Sequence, residues 1–200
     1  MQTMNAPLRT TALDHPSGLW TADQFLDFYV TRPDEERWQL VDGLAMMMTP
    51  ATRTHQKLGK NFLRLIDRAL EQHSPHLEAF YEMGIRIPGV ADFSPQPDLL
   101  VVRADAEFHR YAESFLLVVE IISPSNTAEM IERKLELYQS HPDNLYCLTI
   151  DQDSVHVTVF ARADGWKQHH LRSLDDVLSL PDFGFAAPLS AIYAGTPLAR

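Results

Sequence analysis

Residues 115–122, Phe-Leu-Leu-Val-Val-Glu-Ile-Ile, constrain the fold of this chain more than any other segment. The run does not alternate, so it reads as a strand buried on both faces, at the centre of a sheet with helices packed on each side. Its one polar member is Glu120. An ionised carboxylate among Val118, Val119, Ile121 and Ile122 costs several kcal/mol unless a cation or strong donors compensate it. Glu120 is therefore a site residue, a buried structural ion pair, or a residue at the solvent-facing end of its strand.

The rest of the chain supplies the layers. Trp20-Thr21-Ala22-Asp23-Gln24-Phe25 opens a helix, with Thr21 as N-cap and Trp20 and Phe25 placed as a hydrophobic staple. Asp42-Gly43 between the apolar runs 37–41 and 44–48 predicts a hairpin. A long helix is expected over 52–73, with Leu58, Phe62, Leu65, Ile66 and Ala69 on one face. Strands are expected over 77–87, 97–102 and 115–122. Asn126-Thr127-Ala128-Glu129 has the spacing of a capping box and opens a helix to about 140. A second hairpin, 145–150 with 155–160, follows, and the tail from Trp166 reads as a short strand and loops. The predicted class is α/β (α+β): a mixed central sheet flanked by helices, with an extra N-terminal helix and hairpin. Residues 1–18 read as a flexible arm and 19–200 as a single domain.

Several function classes drop out. No apolar run approaches the ~20 residues of a membrane span, and the first residues have no signal-peptide pattern, so a cytoplasmic protein is expected. Cys147 is the sole cysteine, in an apolar strand-like run, and reads as an inert buried thiol. There is no Walker loop, GxGxxG, HExxH or GxSxG. His169-His170 and the His73/His76 pair read as surface histidines rather than ligands. The net charge of −10 argues against wholesale binding of nucleic acid and requires any such site to be a local basic patch.

A second carboxylate completes the candidate site. Asp98 follows Pro97 at the start of a predicted strand. Two strands that bring Asp98 and Glu120 to one end of a sheet make a hard oxygen-ligand site suited to Mg²⁺ (or Mn²⁺).

The segments Pro97-Asp98, Val119-Glu120-Ile121-Ile122-Ser123-Pro124-Ser125 and the following helix with Lys134 and Tyr138 resemble the Uma family of restriction-endonuclease-like proteins, in the PD-(D/E)xK nuclease superfamily. Trp38-Gln39-Leu40-Val41-Asp42-Gly43-Leu44 and His55-Gln56 are similar to the family's lead-in and long-helix start, and 146–151 is loosely similar to a later strand. The resemblance covers roughly 19–193. It implies a restriction-endonuclease-like core and a metal-dependent endonuclease acting on DNA, as a homodimer. Asp98 and Glu120 would be metal ligands, the Ile121 carbonyl a further one, and Lys134 would assist the attacking water. Gln39, His55, Ser123 and Tyr138 would be accessory. The superfamily's usual lysine position, two after the glutamate, holds Ile122 here, and the family's usual glutamates fall on Gln39 and Leu44. These departures leave open the alternative of a non-catalytic binding or scaffold protein that retains the nuclease fold. On the long helix, Arg53, Lys57, Lys60, Arg64 and Arg68 share ~80° of arc opposite the apolar face, a candidate phosphate track or simply a solvated face.

Overall fold

A computed structural model of the protein describes residues 12–13, 15, 18–33, 35–106, 111–124 and 126–199. In chain order the elements are β1 (Ala12–Leu13), α1 (Ala22–Tyr29), β2 (Trp38–Val41), β3 (Leu44–Met47), α2 (Arg53–His73), β4 (Leu77–Tyr81), β5 (Gly84–Ile85), β6 (Leu99–Arg103), β7 (Tyr111–Ala112) and β8 (Leu117–Ile122). Then come α3 (Ala128–Ser140), β9 (Tyr146–Asp151), β10 (Val157–Ala161), β11 (Gln168–Leu171), β12 (Val177–Leu180), β13 (Phe185–Pro188) and α4 (Leu189–Ile192). This is the expected mixed α+β architecture.

The main sheet has six strands in the order β11-β10-β9-β8-β6-β4. Only β8 and β9 run parallel, and α3 is the crossover between them. As its composition requires, β8 is central and buried on both faces. Leu117, Val119 and Ile121 join Leu99, Val101, Leu148 and Ile150 in a core under α2. Val118 joins Leu100, Val102 and Cys147 in a second core under α3. The period of two thus divides each strand between two cores. A third cluster, with Trp20, Phe25, Trp38 and Leu40, seats α1 on the small sheet β1-β3-β2.

Local signals explain most boundaries. Asp42 and Gly43 both take positive φ, 48° and 73°, the turn that a two-residue hairpin needs. Thr21 caps α1, and Gln24 answers it, so the N-terminus is a full capping box. Thr52 caps α2, accepting from the His55 N–H at 3.1 Å. Three expectations need correction. The run 77–87 is not one strand: Glu82 turns to φ 54°, and Gly84–Ile85 leaves the main sheet to pair with β7. The cap of α3 is Thr127 rather than Asn126; its side chain accepts from the Met130 N–H at 3.2 Å, while Asn126 accepts from Ser123. The tail holds more than one short strand and loops. Its β12–β13 hairpin and α4 bury Leu178, Phe183, Phe185 and Tyr193 against α2, and Asn61 donates to the carbonyls of Ile192 and Ala194 at 2.8 and 2.9 Å.

Most of the arm expected over 1–18 lies outside the described residues. Within them, Ala12–Leu13 adds an edge strand to β3, and the Trp20 indole N–H donates to the Leu13 carbonyl at 2.9 Å. Ser125, in the Ser-Pro-Ser segment, also lies outside them. Cys147 is buried and burial pushes its thiol up to about 12, as an inert thiol should be.

Gly59 sits inside α2, where a Cβ would come within 2.6 Å of the Tyr81 ring. Glycine there lets the helix approach β4. In a free helix interior, Gly→Ala gains about 1 kcal/mol. Gly59→Ala should instead lower the melting temperature, by displacing Tyr81; an increase on thermal denaturation would show that the close approach is not needed.

Candidate active site

Glu120 lies on the α3 face of β8, four per cent exposed. The crossover places α3 over the end of the strand, and residues four apart on a helix share a face. Lys134 and Tyr138 are such a pair, and both reach the same oxygen. Lys134 Nζ is 3.0 Å from Glu120 Oε1, and the Tyr138 hydroxyl donates to it at 2.8 Å. Lys134 is one per cent exposed. It is therefore not a solvated surface lysine, and it shares the buried face of Ile131, Leu135 and Tyr138.

Asp98 stands one residue before β6. The β6–β8 register runs Leu100↔Val118, Leu99↔Val119, and one further step brings Asp98 level with Glu120. The ladder ends there, and the Asp98 carboxylate takes over: Oδ2 accepts from the Ile121 N–H at 2.6 Å. Oδ1 lies 3.2 Å from His55 Nε2. His55 is in the first turn of α2, and Thr52 at the cap of that turn bonds Gln152 at 2.5 Å. Gln152 in turn donates its N–H to the Ile122 carbonyl. Helix α2 is thus tied to the end of β8 on both sides of the carboxylates.

The electrostatics follow from burial. Desolvation pushes Glu120 up, against Lys134, while Asp98 adds to the rise. Burial would lower His55, but the Asp98 hydrogen bond, the charges of both carboxylates and the Ile121 backbone outweigh it, and its pKa is raised above 6.5. Tyr138 is raised well above its usual value, by burial first and then by Glu120. Both Glu120 and His55 hold protons more tightly folded than unfolded. Their contribution to stability is present at acid pH and is lost as the pH rises through the raised values. Lys134 and His55 are the cationic groups that face the two carboxylates.

The chemistry of the donor set is the test of whether a divalent cation fits. Among the described residues no group of three or more His, Cys, Asp or Glu is gathered to hold a metal. Two carboxylates and a backbone carbonyl nevertheless match an ion such as Mg²⁺, which keeps waters for its remaining positions. The donor set is hard oxygen, and it fits.

The structure brings together Asp98, Glu120, Ile121, Lys134, Tyr138 and His55. It does not recruit Ser123 in the same way; its N–H and hydroxyl both donate to Asn126 Oδ1, at 2.8 and 3.0 Å, and shape the turn before α3. Gln39 is buried on β2, its Oε1 without a hydrogen-bond partner among the described residues, and it makes no bond to either carboxylate. The sequence reading missed Tyr81. Its buried hydroxyl has no hydrogen-bond partner among the described residues, and burial, then the Asp98 charge, push it up to about 12. The signal was hidden because Tyr81 ends a strand that was expected to continue. Of the basic stripe, Arg53, Lys60, Arg64 and Arg68 are exposed and Lys57 is half-buried beside Gly195. None of the five forms an ion pair among the described residues.

A family model described as "Uma2: Putative restriction endonuclease" matches residues 22–190. Among solved structures, a protein from Anabaena variabilis ATCC 29413 described as a "putative nuclease belonging to DUF820" superposes with a TM-score of 0.73. It is 16% identical, and the match covers 87% of this chain and 97% of that one. No functionally curated protein matches the sequence.

The buried ion pair makes a clear prediction. Lys134→Met leaves a buried carboxylate without its cation and should cost about 3–5 kcal/mol. Glu120→Leu combined with Lys134→Met should recover most of that loss, since an apolar pair fits the same layer. Urea denaturation of the three proteins checks it; a double variant no more stable than Lys134→Met would rule out the charge as the cause.

Proposed function

The chain belongs to the Uma2 family, a family of restriction-endonuclease-like proteins, and on that premise we propose that it is a divalent-metal-dependent endonuclease that hydrolyses phosphodiester bonds in DNA. The observation that carries the proposal is Glu120: a carboxylate in the most apolar strand of the protein, beside Asp98, and held from above by Lys134 and Tyr138.

In this reading Asp98, Glu120 and the Ile121 carbonyl would hold Mg²⁺ or Mn²⁺, which would supply a Lewis acid for the scissile phosphate and lower the pKa of a bound water. The chain's own residues do the rest. The Ile121 N–H and His55 fix the two oxygens of Asp98. Tyr138 fixes Glu120. Lys134 brings a positive charge from the helix to the place where the superfamily's strand lysine would act. There it stabilises the negative charge that builds on the phosphate and orients the attacking water. The α2 stripe starts two residues from His55, so a DNA backbone that follows Lys60 and Arg64 leads to the carboxylates. Cleavage of both strands calls for two sites, so the acting species is a homodimer, and the working compartment is the cytoplasm. No helix among the described residues is long and apolar enough to cross a membrane.

A second reading, a DNA-binding or scaffold protein without catalysis, has one observation in its favour: the family's acidic position is filled by Gln39, which adds no charge to the site.

Two measurements decide. Mn²⁺ at 100 times its Kd should stabilise the wild type by about 2.7 kcal/mol, more at pH 8 than at pH 6 because Glu120 and His55 compete for protons, and plasmid nicking should require the metal. Asp98→Asn should abolish both effects; nicking by Asp98→Asn at the wild-type rate would remove the carboxylate pair from the chemistry. Binding that persists without any nicking favours the second reading. For the DNA track, replacing Lys60 and Arg64 by Gln should flatten the slope of log affinity against log salt by about two. An unchanged slope in fluorescence anisotropy would move the DNA elsewhere.

A further inference from the structure

The same face of the sheet carries a second cluster of donors at its far edge. Thr158 on β10 pairs directly with His170 on β11, and His156 precedes β10. His156 Nε2 lies 3.1 Å from His170 Nδ1. The Thr158 hydroxyl lies 3.5 Å from the first nitrogen and 3.3 Å from the second. Three donor atoms therefore form a nearly equilateral triangle.

That triangle has the dimensions of one face of a transition-metal coordination shell. Two nitrogens about 2.0–2.1 Å from a zinc ion are roughly 3.4 Å apart at a tetrahedral angle and roughly 2.9 Å apart at a right angle. The observed separation falls between these. The ring atoms are the right ones, because either imidazole nitrogen binds metal in its neutral form. The backbone holds them ready: His170 and Thr158 are fixed by the β10–β11 register, and Tyr193 anchors His156 by accepting from its N–H at 3.2 Å and donating to its carbonyl at 3.0 Å.

We propose that His156, His170 and Thr158 form a binding site for a borderline transition metal such as Zn²⁺, on the edge hairpin of the main sheet. Water fills the remaining positions. Asp151 is close enough to act on His156, but its carboxylate is committed to the 151–154 turn, accepting from the N–H groups of Asp153 and Ser154 and the Ser154 hydroxyl. Arg172 is the opposing charge near the site. A bound ion would tie the outermost strand, β11, to β10.

The site is distinct from the carboxylate pair. A register row runs Glu120↔Thr149, Thr149↔Thr158, Thr158↔His170. Three inter-strand steps of ~4.8 Å separate its ends by roughly 14 Å, so no ion can be shared. The donor classes differ too: imidazole selects zinc, copper or nickel, and carboxylate with carbonyl selects magnesium or manganese.

The test is calorimetric titration of ZnCl₂ into the full chain with excess Mg²⁺ present to fill the hard-oxygen site. The wild type should bind one Zn²⁺ per chain that His170→Gln weakens at least tenfold and His156→Gln weakens similarly. Arg172→Gln should tighten it by removing the nearby cation. His170 is exposed, so its variant should fold normally, which circular dichroism checks. Cu²⁺ in place of Zn²⁺ should show nitrogen couplings from two imidazoles in its paramagnetic resonance spectrum. No Zn²⁺ binding by the wild type, or equal binding by both histidine variants, overturns the proposal, whatever the outcome of the nicking assay.

Discussion

A carboxylate on a strand that has no water beside it sets the terms for the whole molecule. Glu120 could face solvent only if β8 were an edge strand or α3 were absent, and the apolar residues around it forbid both. The fold must therefore bring compensation to the carboxylate. It does so with the crossover helix, which is required in any case to join two parallel strands. Lys134 and Tyr138 arrive on the face of α3 that has to be buried, so one helix supplies both the lid of the second core and the counter-charge. Burial still wins over these partners, as the raised Glu120 shows.

The same end is where the sheet stops pairing. Strand β6 falls one residue short of Asp98, so the Ile121 N–H would have no ladder partner, and Asp98 supplies it with a side-chain oxygen. A structural duty and a candidate catalytic duty thus fall on one carboxylate. His55 holds the other oxygen from the start of α2, and the Thr52–Gln152 bond pins that start. The two helices approach from opposite faces of the sheet, α2 over the odd-numbered residues of β8 and α3 over the even-numbered ones. His55 of α2 and Lys134 of α3 reach the two carboxylates at the end of the central strands, so the ionisable groups gather there and not within either core.

What could be read from the sequence follows how local each signal is. The Asp42-Gly43 turn, the Thr21 cap and the central position of β8 were all legible, because each depends on a few adjacent residues. So was the carboxylate on β8, whose cost is written in its neighbours. The break at Glu82 was not legible: a glutamate at positive φ leaves no compositional mark, and the turn is held by Arg37 and the Asp98 carbonyl, both distant in sequence. Beyond its one short strand the tail was read as loops, because the β12 and β13 strands are four residues each and become a core only against α2. Tyr81 and the His156–His170 contact were invisible for the same reason, since each is made by register between strands. His170 read as a surface histidine, and its partner lies fourteen residues away across a hairpin.

The lysine shows how little the position of a residue in a motif constrains where its charge ends up. In the plain superfamily pattern the lysine stands on the strand, two residues after the glutamate and therefore on the same face. Here that position is Ile122, a partly buried member of the second core. A helix packed on that face offers an equivalent route, because its side chains descend onto the strand residue beneath them. Lys134 does so with a buried stem and its ammonium on the carboxylate. The helical route has a different consequence. A strand lysine would depend only on the sheet, whereas this one depends on α3 being docked, so folding of the crossover and assembly of the site are the same event. The Arg133 to Asp42 ion pair, which ties α3 to the β2–β3 turn, belongs to that docking although it touches neither carboxylate.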